Sequence, residues 1–160
     1  MIRVYIAIGS NLCNPANKAR KAIEALKQLP DTKFSDCSSL YRSKPMGLFD
    51  QPDYVNAVAA FDTLLEPLVL LNQIQRIELE FGRKHTMERW GPRTLDLDIL
   101  LFGDLKLNSE LLTVPHSGIK VREFVLYPLA EIAPDLYLPD GSAIIDLVAV
   151  TDRRGLTTIE

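Results

Sequence analysis

Two aspartates stand inside a run that otherwise reads as buried strand. In RWGPRTLDLDILLFG, residues 89–103, Asp96 and Asp98 alternate with Leu95, Leu97 and Ile99. In a strand, residues two apart share a face and lie roughly 6.6 Å apart along the axis. The two carboxylates therefore project together while the aliphatic residues turn the other way into the core. Like charges on one partly buried face repel and are poorly solvated. A divalent cation relieves both problems, and a pair of hard cations about 4 Å apart suits such ligands. The spacing equally allows both to be solvated on an exposed sheet face.

The segment just upstream narrows the chemistry. Arg83, Lys84, His85, Arg89 and Arg93 face a single Glu88 there, in a chain whose net charge is −3. Cations beside metal-binding carboxylates suit a polyphosphate, gripped by metal on one side and guanidinium groups on the other. Phosphoryl transfer is catalysed largely by positioning and electrostatics, so this is the equipment it requires. A solvated charged loop is the plainer alternative. No GxxxxGK[ST] or GxGxxG motif occurs, so a bound nucleotide is not held by a glycine cradle. Gly9-Ser10-Asn11 reads more simply as a strand-end turn than as a ligand contact.

Further candidates are scattered. His116, in TVPHSG with Arg122 six residues on, is suited to donating to phosphate or carrying a proton, or to an ordinary surface role. Trp90, the one tryptophan, serves either as an anchor for the basic loop or as a ring over a ligand. Tyr54 and Phe124 read as core aromatics. Asn56, on the same strand face as Tyr54, adds paired donors and acceptors suited to a flat heterocycle.

These residues need elements to hold them. Residues 3–8 alternate as a first strand. A helix begins at Pro15 with Asn14 as its cap, carrying Ala19, Ala22, Ile23, Leu26 and Leu29 at helical spacing, and Pro30 and Asp31 end it. TKFSDCSSLYRS reads as a second strand and residues 54–63 as a third. From Pro67, Leu68, Leu71, Ile74, Gln75, Glu78 and Phe81 mark an amphipathic helix stopped by Gly82, and residues 94–102 give a fourth strand. The order is βαββαβ, so an α+β ferredoxin-like core is expected, layered α/β/α with extra C-terminal helices near 122–132 and 143–150. A small hairpin near 105–107 is expected, and a lightly attached tail over 151–160. Two long segments, 43–53 and 82–92, flank strands and read as lids over one cleft.

Composition bounds the rest. The 160 residues read as a single domain spanning 1–160, with 47% apolar and 24% charged residues, ordinary for a globular chain. A sequence pI near 5.4 argues against whole-surface binding to nucleic acid or membrane. Cys13 and Cys37, without CxxC, read as two reduced thiols. No apolar run approaches the ~18 residues of a membrane span, and residues 1–12 read as strand rather than signal peptide, so a cytoplasmic location is expected.

At this point the motifs combine. GRKHTMERWGPRTLDLDILLFG, with VPH, REFVLYPLAEIAP, AIGSNL and YRSKPMG…QPDYVNAV, closely resembles the 6-hydroxymethyl-7,8-dihydropterin pyrophosphokinase family of folate biosynthesis. The resemblance implies transfer of a pyrophosphoryl group from ATP to the pterin hydroxymethyl oxygen, releasing AMP. It implies that Asp96 and Asp98 hold two Mg2+ ions, and that Arg83 and Arg93 hold the polyphosphate and stabilise transfer. Tyr54 and Phe124 would sandwich the pterin, with Asn56 and the Ser43 and Met46 backbone at its polar edge and Trp90 on the lid. Gln75, Glu78, Ile99, His116 and Arg122 would serve ATP. His85, Ser43-Lys44 and Ser117 depart from the residues many relatives carry. A monomer acting on these two small molecules, with neither nucleic acid nor membrane as partner, is expected. Rival readings are a metal-dependent nucleotidyltransferase, which would release pyrophosphate, and a non-catalytic RNA-binding or ligand-sensing βαββαβ module.

Overall fold

The structure, a computed structural model, describes residues 1–11, 14–43, 54–81 and 95–159. Strand β1 (Ile2–Ser10) keeps strict alternation: Val4, Ile6 and Ile8 enter one core, Tyr5 and Ala7 the other. Helix α1 (Pro15–Leu26) buries Ala19, Ala22, Ile23 and Leu26 as one stripe. Its start differs in chemistry from expectation. Asn14 occupies the cap position in the left-handed region (φ 59°) and its side chain makes no cap bond, so Pro15 at the first helical position carries the start signal.

The expected second strand is two, β2 (Thr32–Cys37) and β3 (Leu40–Ser43), both antiparallel to β4 (Tyr54–Thr63). The break lies at Ser38, whose hydroxyl accepts the Val58 N–H at 2.9 Å while its own N–H donates to the Val58 carbonyl at 2.9 Å. A side-chain oxygen takes the place of a ladder carbonyl, and the strand is interrupted there.

Helix α2 (Pro67–Glu80) buries Leu70, Ile74, Ile77 and Glu78, whereas Leu68, expected on the inner face, is 46% exposed. The contact stripe is the 70/74/77 row, offset from the one the sequence suggested. Strand β5 (Leu95–Phe102) lies at the sheet edge beside β1, and the sheet runs β5-β1-β4-β3-β8 with β2 also on β4, antiparallel in every pair. That is the ferredoxin-like order. A bulge opposite Tyr5 and Ile6 makes Leu100 the extra residue of β5, so Leu100 and Leu101 both face one core and Phe102 the other.

The two cores define the layers. One packs α1 and α2 against the sheet; the other packs α3 (Glu123–Ile132) and α4 (Ile144–Ala149) against its back. Seven of the ten β4 residues in an unbroken run are buried for this reason (Val55 to Phe61). The hairpin forms slightly later than expected, β6 (Leu107–Asn108) with β7 (Thr113–Val114), its turn closed by Ser109 and Leu112.

The tail is attached, against expectation. Residues of β8 (Thr157–Ile159) pair with β3, Leu156 is 2% exposed, and Arg153 donates to the Leu156 carbonyl while stacking 4.9 Å over Tyr127. A three-residue strand is too short to show a period, and what fixes it is the open edge of β3. Among the described residues no helix is long and apolar enough to cross a membrane.

Candidate active site

Asp96 lies opposite Gly9 and Asp98 opposite Ala7 on the α3 side of the sheet, while Leu95, Leu97 and Ile99 enter the other core. The division of faces expected from the sequence holds. Following the register across the sheet, Asp96, Gly9, Asn56 and Tyr41 form one row. Strands are spaced about 4.8 Å apart, so Asp96 and Asn56 stand about 10 Å from each other, with only Gly9 between them. A Cβ at Gly9 would lie 3.3 Å from Asn56 Nδ2. Gly9 is therefore a paired residue near the end of β1 and forms a cleft floor, not the turn its sequence suggested.

Above that floor is a cleft of about 270 Å³. Ser43, Tyr54 and Asn56 line one end, Phe124 and Arg122 come from the α3 start, and Asp96, Asp98 and His116 close the other end. Ser43 Oγ donates to Asn56 Oδ1 at 2.6 Å, and both residues are 7% exposed. Burial, followed by the Asp96 charge, pushes the Tyr54 phenol above its ordinary value. The Arg122 guanidinium lies 5.8 Å over the Phe124 ring, within cation–π reach. Gly118 makes room for this arginine, since a Cβ there would come within 2.5 Å of Arg122 Nε.

A second cleft, of about 320 Å³, opens on the α2 side of the pair. Leu71, Gln75, Glu78, Ile99, Leu111 and Ser117 are among its walls, and Asp96, Asp98 and His116 again belong to it. Those three are the only described residues common to both clefts. His116 is held by its main-chain N–H on the Leu100 carbonyl (2.9 Å) and by the Gly118 N–H on its Nδ1 (3.0 Å). A bonded Nδ1 leaves the proton of the neutral ring on Nε2. Burial lowers the imidazole below its usual 6.5; Asp98 works against this and Arg122 with it.

Of the residues singled out in the sequence, Ser43, Tyr54, Asn56, Phe124, Asp96, Asp98 and His116 meet in the first cleft, and Gln75, Glu78 and Ile99 line the second. Arg122, expected on the ATP side, lines the first. Ser43, expected to act through its backbone, presents its hydroxyl to Asn56. Met46, Arg83, Trp90 and Arg93 lie outside the described residues, as do Lys44 and His85. Sequence reasoning missed Gly118, Leu71 and Leu111. Gly118 had a signal, a glycine two after a histidine; the leucines had none to separate them from core.

Among the described residues no three acidic, histidine or cysteine side chains are placed to hold one metal ion together. Two carboxylates nevertheless fit Mg2+, which keeps several waters and is bound through one or two carboxylates plus substrate phosphates. The donor set is all oxygen, on a rigid strand, at the border of both clefts.

Comparison with known proteins gives the family. A sequence model described as 7,8-dihydro-6-hydroxymethylpterin-pyrophosphokinase (HPPK) matches residues 5–134. The 2-amino-4-hydroxy-6-hydroxymethyldihydropteridine pyrophosphokinase of Pseudomonas aeruginosa is 53% identical over 154 residues, covering 96% of this chain and 94% of that protein. Its namesake from Haemophilus influenzae is 53% identical over 148 residues, 92% of each. Among solved structures, the wild-type HPPK-DHPS of Plasmodium falciparum superposes with a TM-score of 0.71 over 93% of this chain. At 15% identity, and with 43% of that chain covered, it speaks for the fold alone. The chain belongs to the 7,8-dihydro-6-hydroxymethylpterin-pyrophosphokinase family.

Proposed function

We propose that the pterin occupies the cleft between Tyr54 and Phe124, that ATP occupies the cleft along α2, and that Asp96 and Asp98 hold two Mg2+ ions between them. The reaction is that of the family: the pyrophosphoryl group of ATP passes to the hydroxymethyl group of 6-hydroxymethyl-7,8-dihydropterin, in folate biosynthesis. The observation that carries the assignment of residues is the shared wall. Two clefts of different lining meet at Asp96, Asp98 and His116, and a reaction joining two substrates needs its reacting atoms at such a border.

In this reading the pterin ring lies between the Tyr54 and Phe124 rings, with Asn56 at its polar edge. The hydroxymethyl oxygen then points toward the aspartates and attacks the β-phosphorus in line. The bond from that phosphorus to the α,β-bridging oxygen breaks, and AMP leaves with the electron pair. Magnesium, when bound, neutralises charge on the phosphate oxygens and orients them. His116 donates from Nε2 to a phosphate oxygen; with Nδ1 already accepting from Gly118 it is not the base. The hydroxyl proton therefore leaves through a substrate phosphate oxygen. Arg122, backed by Phe124, adds a cation at the pterin end. Resemblance assigns Arg83 and Arg93 to the polyphosphate, Met46 to the pterin edge and Trp90 to a covering loop.

Asp96→Asn and Asp98→Asn test the assignment. Each should lower turnover by roughly 100-fold or more, the scale of losing a preorganised electrostatic group, while pterin affinity of the ATP-free chain stays near wild type. Wild-type turnover in either variant would overturn it.

A further inference from the structure

Glu78 reaches the nucleotide cleft from α2, yet its side chain is only 4% exposed as a residue. A carboxylate that deep persists only where hydrogen bonds satisfy it. One of its bonds lies at a telling place: Glu78 Oε2 accepts the backbone N–H of Leu97 at 2.8 Å. Leu97 is the residue between Asp96 and Asp98.

Strand β5 ends the sheet and has β1 as its neighbour in it. Alternate N–H groups of an edge strand face outward with no strand to bond. Hydrogen-bonded and non-hydrogen-bonded pairs also alternate along an antiparallel ladder. Since the Leu97 N–H turns outward to Glu78, the Leu97–Ile8 pair is of the second kind, and the flanking Asp96–Gly9 and Asp98–Ala7 pairs are those tied to β1. Three successive residues are thus fixed from alternate sides, two by the sheet and the middle one by α2. Among the described residues Glu78 supplies the bond on the outward side at Leu97, and removing it loosens the strand between the two carboxylates.

We propose that Glu78 is a positioning residue for the metal-binding pair: its carboxylate locks the Leu97 amide and so sets the separation and aim of Asp96 and Asp98. This inference rests on the reading of those aspartates as metal ligands. It separates Glu78 from a residue that simply touches the nucleotide, because reach to Leu97, rather than charge in the cleft, is what matters.

Three variants divide these roles. Glu78→Gln keeps an acceptor oxygen at the same reach; Glu78→Asp keeps the charge and shortens the reach; Glu78→Ala removes both. Hydrogen exchange of the Leu97 amide is read by NMR in the ligand-free chain. Mn2+ affinity is read by electron paramagnetic resonance with α,β-methylene-ATP present. Glu78→Asp and Glu78→Ala should lose Leu97 protection and weaken Mn2+ about 10- to 100-fold, the usual effect of removing a group that orients metal ligands, while Glu78→Gln stays within about threefold. If the alanine variant fails to fold, the aspartate and glutamine pair still decides. The proposal is overturned if Leu97 stays protected in Glu78→Asp, or if Glu78→Gln weakens Mn2+ binding as much as Glu78→Asp does. Asp96→Asn and Asp98→Asn serve as the control. Unchanged Mn2+ affinity in both would remove the metal reading itself, whereas its loss there, with Glu78→Asp unaffected, removes only the positioning role.

Discussion

Replacing Ser43 by alanine should weaken pterin binding while leaving the nucleotide cleft untouched. The hydroxyl donates to Asn56 Oδ1 at 2.6 Å between two residues that are each 7% exposed. With Oδ1 engaged, the Asn56 amide has one orientation, its Nδ2 set beside Gly9 over the cleft floor. Removing the donor leaves a buried acceptor unpaired, worth about 1–3 kcal/mol. In the free chain the amide recovers part of this by turning to water. When pterin fills the cleft, that recovery is lost, and binding carries the difference. A difference of 1 kcal/mol is about fivefold in Kd and 2 kcal/mol about thirtyfold. Ser43→Thr keeps the hydroxyl and should restore affinity. Equilibrium titration using pterin fluorescence, alongside ATP-analogue binding and thermal unfolding, reads all three. The reasoning is refuted if Ser43→Ala binds pterin like wild type, if threonine fails as alanine does, or if nucleotide affinity drops in step.

Other perturbations follow from the same geometry. Gly118→Ala puts a methyl 2.5 Å from Arg122 Nε; the arginine side chain must shift from its place over Phe124, and kcat/KM should fall about tenfold, the worth of one charge-assisted bond. Arg122→Ala should then add little to Gly118→Ala, and fully additive losses would contradict this. Leu156→Ala should lower stability by about 2–4 kcal/mol in urea unfolding, because Leu156 is 2% exposed beneath the β8 connection; a change under about 0.5 kcal/mol is what a loose surface tail would give. The His116 imidazole in the ligand-free chain should titrate below 6.5, since burial disfavours its charged form. Its neutral form favours the fold, so its contribution is complete above 6.5 and is lost as pH falls through that value toward the depressed folded one. An NMR titration placing it at or above 6.5 would reverse that sign.

How far the sequence foretold this site depends on the distance over which each signal acts. The aspartate pair was legible because a period of two residues sorts Asp96 and Asp98 from Leu95, Leu97 and Ile99 without knowledge of any other strand. Tyr54 and Asn56 were legible as a same-face pair for the same reason. Gly9 was misread because its role depends on what lies opposite it, Asp96 on one side and Asn56 on the other. The Leu68 stripe was offset because an apolar helix with Val69, Leu70 and Leu71 beside it offers several nearly equal faces, and the sheet chooses. The β8 strand and the Ser38 break answer to partners far away in the chain, the β3 edge and Val58. Glu78 was legible as one of the residues marking the helix face and, by resemblance, as an ATP residue; its bond to the Leu97 amide depends on β5 lying beside α2 and needed the fold. Local chemistry could be read along the chain; what each residue faces required the fold.

The central claim is that the pterin hydroxyl and the ATP β-phosphorus meet at the wall made by Asp96, Asp98 and His116. The most direct test is a single-turnover reaction of the chain with Mg2+, 6-hydroxymethyl-7,8-dihydropterin and ATP labelled with 32P at the β-position, run beside Asp96→Asn. The account predicts unlabelled AMP and a pterin diphosphate carrying the label, formed only when pterin is present and nearly absent in the variant. Labelled ADP, or labelled pterin diphosphate formed at the wild-type rate by Asp96→Asn, would contradict it.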